Sequence, residues 1–527
     1  MSMIKILDCT LRDGGYVNNW DFGESVIYHI INKLEASSVE IIECGFLSQK
    51  KETTKEKSIF KTIEEAEERM GEVQFQNAAL MINCGEYCTE ALPIYSGGKI
   101  NTIRIAFHKH QRTEAQHLCL VLKKNGFQVF FQPMFTQGYQ DGELLDLIYW
   151  VNQNNPDAFY LVDSFGTMRK NDILRMFYLV DNNLDKTIKI GFHSHNNLQL
   201  SFSNAQELIQ MNSKREIIID SSVFGMGRGA GNLCTELLAK YINENLEDKY
   251  NLIPILEIMD EYIMPIYAKH PWGYSAPYYI AAVNNCHPNY ATYLVNKQTL
   301  CVRDINAIIK LIPVEDRHLY NVDLINRLYN EYQMHNVDDG EVVEKLHDLC
   351  DNRKVLILAP GKSLLNCYDK IQDYIKENNP IVFGINHISE LYAYDKVFIS
   401  NLKRFKGMND AIKKIGDKLI CTSNISIDME NDIVNYSSYL VESESISDNA
   451  GLMLINLLRK AGVSSFALAG YDGFDYVNSQ NYYDDMLING VNTEKRIQNN
   501  DEIKKYFLKL KKLINIIFIT PSIYDEI

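Results

Sequence analysis

The sequence predicts an α/β protein of two parts: an N-terminal (β/α)8 TIM barrel with a helical appendage, then a separate C-terminal α/β domain. Three observations predict it. The chain has 527 residues, too many for one ordinary core. From the N-terminus to about residue 240, short apolar runs alternate with helical segments, the pattern of successive βα units. After the charged stretch HNVDDGEVVEKLHDLCDNRK, which ends at Lys354, KVLILAPGKSL starts a fresh strand, loop and helix.

The barrel strands are expected at IKILD, VEIIECGF, FQNAALMI, TIRIAF, QVFFQPMF, AFYLVDS, IKIGFHSH and IIIDSSVFGMG. Eight strands in roughly 230 residues fit a closed barrel better than an open sheet. YLVNKQTLCVRDINAIIKLI and YNVDLINRLYNEYQ then place apolar residues at helical spacing. The expected divisions are 1–265 for the barrel, 266–347 for the appendage and 348–527 for the second domain. Further strands are expected in PIVFGINH, KVFISN, KLICTS and SFALAGYDGF.

Composition narrows the function. Hydrophobic residues make up 46% and charged residues 23%, as globular domains require. A formal charge of -15 disfavours attraction to nucleic acid or anionic lipid, so neither is an expected partner. No apolar run approaches about 18 residues, and MSMIKILDCTLRDGG lacks a signal h-region, which predicts a cytoplasmic protein. Eleven cysteines scattered without CxxC spacing, Cys84 and Cys88 closest among them, are expected to be reduced structural residues.

Active sites of such barrels lie at the C-terminal ends of the strands. His193 and His195 end the seventh strand. Two apart along it, they point to one face roughly 6.5 to 7 Å from each other, so both imidazoles can converge on one ion. Alone, an HxH pair is more often packing; Asp13, expected to end the first strand two places around the ring, reverses that balance. One carboxylate and two imidazoles suit Mn2+, Mg2+, Co2+ or Zn2+ with positions left for substrate oxygens. Arg12, beside Asp13, could stabilise an enolate oxygen, the bland alternative being an ion pair with a barrel carboxylate. A 2-oxo acid chelated through carboxylate and ketone would then have a stabilised enolate. After the eighth strand, the glycine-rich GMGRGAGN allows close approach to an anionic group, and Asn232 could add an oxygen near the ion. Glu43 and Asp163 also end strands, which pairing with Arg or Lys explains equally well. The aromatic segment 270–294 reads as packing, with a substrate lid as the alternative.

LDCTLRDGG, HSHNN and GMGRGAGN together resemble the family of 4-hydroxy-2-oxovalerate aldolases, 3-hydroxy-3-methylglutaryl-CoA lyases and 2-isopropylmalate synthases. Over about residues 1 to 300, the resemblance implies a divalent metal, chiefly Mn2+ or Mg2+, on Asp13, His193 and His195. Asn232 lies near the ion by this likeness, Arg12 stabilises the enolate, and the partners are a 2-oxo acid such as pyruvate and an aldehyde. The aldolase branch usually places a histidine shortly after RDG, where this chain has Gly15 and Tyr16. The acid or base therefore falls to Tyr16 or to His108 at the end of strand four. Barrel enzymes commonly associate, so a homo-oligomer is also expected.

In the second domain, VLILAPGKSL suits a phosphate at a helix N-terminus but lacks the GxxxxGKS/T spacing of a triphosphate loop. With the asparagine after the next strand and the late segment 470–474, it resembles the Rossmann-like domains of bacterial sialyltransferases and pyrophosphokinase-like proteins. That likeness implies a nucleotide or sugar-phosphate ligand at Gly361, Ser363 and Asn386. The alternative function is then a nucleotide-sugar-dependent transferase, with the barrel supplying substrate or scaffold. No histidine follows His387, which weighs against a glycosyl-transfer base there.

Overall fold

The computed structural model describes residues 3–71, 75, 77–426, 431–443, 445–475, 482–483 and 493–525. They divide into two compact units: Met1–Thr292 with Pro313–Tyr320, and Tyr293–Ile312 with Asn321–Ile527.

The first unit is the closed barrel. Its strands are β1 (Ile4–Asp8), β2 (Ile41–Leu47), a short β3 (Ile59–Phe60), β4 (Ala78–Asn83), β5 (Ile100–Phe107), β6 (Gln128–Pro133), β7 (Ala158–Asp163), β8 (Lys189–Ser194) and β9 (Ile217–Ser221). All pair in parallel in the order β1-β9-β8-β7-β6-β5-β4-β2, and Leu7 beside Ile41 closes the ring. The eight expected strands are the eight of the ring; β3, a two-residue extension beside the end of β2, carries no sequence signal of its own. The strands read as near-continuous apolar runs because both faces are covered. Outside lie the helices α1 (Glu24–Ala36), α2 (Ile63–Met70), α3 (Arg112–Lys124), α4 (Asp141–Asn154), α5 (Lys170–Asn183), α6 (Ser201–Gln210) and α7 (Thr235–Asn245). In α1 the buried positions Ile27, Ile30, Ile31 and Leu34 follow the helical stripe. Inside, Leu7, Phe130, Tyr160 and Ile218 belong to a filled interior, which leaves polar chemistry to the carboxyl ends of the strands.

Residues 266–347 are shared between the units. Met264–Lys269 and Ala276–Val283 are helices of the barrel unit, whereas Val302–Leu311, Val322–Gln333 and Gly340–Cys350 belong to the second unit. That unit holds a seven-stranded parallel sheet of β10 (Val355–Leu358), β11 (Ile381–Ile385), β12 (Lys396–Ile399), β13 (Leu419–Thr422), β14 (Asp432–Val434), β15 (Ser465–Ala469) and β16 (Asn515–Phe518). Their order is β14-β13-β12-β11-β10-β15-β16. Val342, Leu346 and Cys350 join its core, so the helix Gly340–Cys350, which spans the expected boundary at residue 348, packs with the second unit. All eleven cysteines are free. Among the described residues no helix is long and apolar enough to cross a membrane.

Candidate active site

β1 ends at Asp8, and the chain turns before it reaches Asp13; the expectation that Asp13 ends the strand is corrected by this turn. The N–H groups of Arg12, Asp13 and Gly14 converge on the Cys9 carbonyl, and the Trp20 indole N–H donates to the Arg12 carbonyl at 2.7 Å. A Cβ on Gly15 would lie 2.0 Å from the Trp20 ring, so glycine is required where the turn closes on that indole.

The turn delivers Asp13 to His193 and His195. The three are buried, with one ligand atom from each within 4.8 Å of the others. The two imidazole rings are perpendicular with centroids 5.2 Å apart, and His195 Nε2 lies 3.8 Å from Asp13 Oδ2. An antiparallel bridge from His195 to Asn232 sets the asparagine amide to donate to Asp13 Oδ2 at 2.8 Å. The Asn232 Oδ1 is buried without a hydrogen-bond partner among the described residues. A Cβ on Gly227 would lie 2.6 Å from that amide, which is why the loop is small here.

The charge states suit a cation. Burial alone would raise the Asp13 carboxyl, but Arg12 and the two imidazoles hold it well below the usual carboxylate range. Burial pushes His195 down to about 3, leaving it neutral with a free lone pair. His193 Nδ1 lies 3.0 Å from Asp220 Oδ2; with an ionised aspartate the ring donates there and keeps Nε2 as a donor atom for a metal. A carboxylate, two imidazoles and an orphaned amide oxygen in one buried cluster fit a divalent ion.

Behind the cluster runs a chain of buried charges. Arg12 donates to Asp13 at 2.6 Å and to Glu43 at 2.7 Å, Arg104 pairs with Glu43 at 2.7 Å, and Arg104 also pairs with Asp220. Asp13 and His193 are thus joined through four intervening side chains. Arg12 Nη2 has no partner among the described residues. Arg12 is ion-paired, and Nη2 is the part of its guanidinium that these pairs leave over. Of the two readings open for Glu43, its contacts are the arginine pairs just given. Asp163 instead accepts the N–H groups of Thr167 and Met168, and burial raises it to about 6.

A cavity of about 440 Å³ is lined by Tyr16, His108, His195 and Arg228, with His287 and His318 from beyond the eighth strand. Arg228 lies over the Tyr16 ring at 4.3 Å. Burial lowers His108, with His110 and Arg228 adding to the effect, and burial brings His287 to about 3. Arg104, Asp220 and His287 had no sequence signal: two sit mid-strand in apolar runs, and the third lies in the aromatic segment 270–294. That segment packs, as Trp272 does against Phe224 and Tyr267, and it also reaches the cavity at His287. Gly361 and Asn386 lie in the second unit, beside a different cavity that Ser363 does not line.

The HMGL-like family profile matches residues 3–260. The chain is 25% identical over 266 residues to a 4-hydroxy-2-oxovalerate aldolase from Geobacillus genomosp. 3, covering 50% of this chain and 77% of that one. A protein of the same name from Thermomicrobium roseum is 29% identical over 290 residues, covering 51% and 74%. Among solved structures, a pyruvate carboxylase from Rhizobium etli has a TM-score of 0.50 at 11% identity, covering 66% of this chain and 38% of that one, a likeness of fold.

Proposed function

Since residues 3–260 form an HMGL-like domain, we propose that the barrel is a divalent-metal-dependent aldolase that makes or cleaves a carbon–carbon bond beside a 2-oxo acid through its enolate. The observation that carries this reading is the buried Asp13, His193 and His195 cluster beside the unpartnered Nη2 of Arg12. The names of the aldolase relatives support a pyruvate-like acid and an aldehyde as reactants.

Asp13, His193 and His195 would hold Mn2+ or Mg2+, with Asn232 at its side. Bound there, the ion would act as a Lewis acid on the carboxylate and ketone oxygens of the substrate. Asp220 fixes the His193 ring, and Glu43 fixes the Arg12 guanidinium, so neither has to reorganise during the reaction. Arg12 donates its remaining edge to the oxygen on which enolate charge develops. His108, kept neutral by burial, accepts the proton moved between substrate and enzyme; Tyr16, over which Arg228 is stacked, is the other group placed to do so.

The test is proton-to-deuterium exchange at the pyruvate methyl group in D2O, followed by NMR with Mn2+ or Mg2+. Metal-dependent exchange that is lost in His193→Ala is expected. His108→Ala should slow it and remove the acid limb of its pH profile, which lies below the ordinary histidine value. Exchange that is indifferent to metal and to His193→Ala would overturn the proposal.

A further inference from the structure

A second cavity, of about 280 Å³, lies within the C-terminal unit, and nothing in the barrel chemistry uses it. It sits at the carboxyl ends of β10, β11, β12 and β15, where Gly361, Asn386, Arg404 and Gly470 line it. The sheet order reverses at β10: β11 to β14 lie to one side, β15 and β16 to the other. Crevices outside such reversal points are where open parallel sheets take ligands.

The turn at Gly361 and Ser363, where the sequence suggested a phosphate, is built otherwise. Ser363 donates its N–H to Asp472 at 2.8 Å, and its hydroxyl engages Asp472 and Thr520. The helix it begins, Ser363–Asn366, is a single turn. Asn386 is a turn residue at φ +48° whose side-chain oxygen accepts the N–H groups of Ser400 and Asn401.

Three cations and a longer helix define the cavity instead. Lys297, Arg404 and Lys495 line it, together with the first turn of the helix Ala450–Lys460. Asn449 caps that helix through the Leu452 N–H, while Ala450 and Gly451 face the space. Over the helix start sits the hydroxyl of Tyr471, 2.7 Å from where a Cβ on Gly451 would be. Tyr471 is only 9% exposed, and its hydroxyl has no hydrogen-bond partner among the described residues. Ser445 Oγ and Asn499 Oδ1, in the same wall, likewise have none. Leaving a buried polar atom unpaired costs about 1–3 kcal/mol, so a ligand that pairs these atoms is favoured.

Lys495 is held in place by donation to the Asn296 carbonyl. Burial, and then the neighbouring Lys297 charge, hold its ammonium below the ordinary lysine value, a repulsion that an anion between the two lysines relieves. The two acids in the wall are engaged elsewhere, Asp448 by the Tyr329 hydroxyl at 2.6 Å and Asp472 by Ser363.

We propose that this cavity binds a phosphorylated small molecule, with its phosphoryl oxygens facing Lys297, Arg404, Lys495 and the start of the Ala450–Lys460 helix, and its organic part against Phe474 and Tyr524. The proposal stands apart from the barrel reading. It is tested by calorimetric titration of the full chain with pyrophosphate, ADP and glucose 1-phosphate, with adenosine as the uncharged control. At least one phosphorylated probe binds and adenosine does not. Tightest binding of ADP marks a nucleoside phosphate, tightest binding of glucose 1-phosphate a sugar phosphate, and equal binding of all three recognition of the phosphoryl group alone. Arg404→Gln and Lys297→Gln each weaken binding about tenfold, the loss of one charge-assisted contact. Acetylation of the unsubstituted protein, read by mass spectrometry, gives a measure free of folding effects: bound probe protects Lys297 and Lys495 selectively. Binding by none of the probes, undiminished binding in both variants, or no protection of these lysines overturns the proposal.

Discussion

Arg12 commits two of its nitrogens to Asp13 and Glu43 and leaves Nη2 without a partner among the described residues. On the proposed mechanism, Arg12→Ala keeps the metal, because Asp13, His193 and His195 remain, but lowers turnover by about 10^2 to 10^3. Elemental analysis beside steady-state kinetics checks both halves of that statement. Arg12→Lys should fail nearly as badly, since a single ammonium nitrogen lacks the planar fork whose separate nitrogens meet Asp13 and Glu43. Asp8 makes a different case. Burial raises its carboxyl from 3.8 to about 6, against the hydrogen bonds from Thr235 and Thr10. A raised folded value favours the protonated form, so the stability it contributes is complete below pH 3.8 and is lost as pH rises through about 6. Asp8→Asn lacks that dependence and should gain on the parent by up to about 3 kcal/mol between pH 4 and pH 7, since each tenfold change in proton affinity is worth roughly 1.4 kcal/mol. Denaturant unfolding at the two pH values measures it.

At the scale of elements, the charges behind the metal cluster tie four strands together: Glu43 on β2, Arg104 on β5, His193 on β8 and Asp220 on β9. Arg104→Met leaves Asp220 and Glu43 short of a counter-charge in a dry interior and should cost about 3–5 kcal/mol, read as a lowered denaturant midpoint. This network marks the limit of what the sequence made legible. The eight ring strands announce themselves as apolar runs, and His193 and His195 as polar residues at the end of one of them, whereas Asp13 lies past a turn that begins after Asp8. Arg104 and Asp220 sit inside their runs, where nothing local distinguishes a buried ion pair from a solvent-facing charge. Only the closure of the ring brings them together. The short β3, β14 and β16 were likewise silent, being two to four residues long and dependent on a neighbouring strand for their definition. In the second unit, the glycine turn was legible but its role was not, because Asp472, more than a hundred residues on, occupies Ser363.

For the whole molecule, two compact units with separate cores predict two transitions in calorimetry. Mn2+ should raise only the barrel transition, by about 2.7 kcal/mol at a hundred times its dissociation constant, since it binds a site made within that unit. A single transition, or equal displacement of both, would contradict that independence.

The units are not consecutive along the chain. Pro313–Tyr320 returns to the barrel after Tyr293–Ile312 has joined the other unit, and it brings His318 and Leu319 to the wall of the barrel cavity. On the ribosome, all eight strands of the ring emerge long before that wall can close. At about 5–20 residues per second, the interval between residue 221, where the ring is complete, and residue 320 lasts about 5 to 20 seconds, during which the nascent barrel exposes an unfinished mouth.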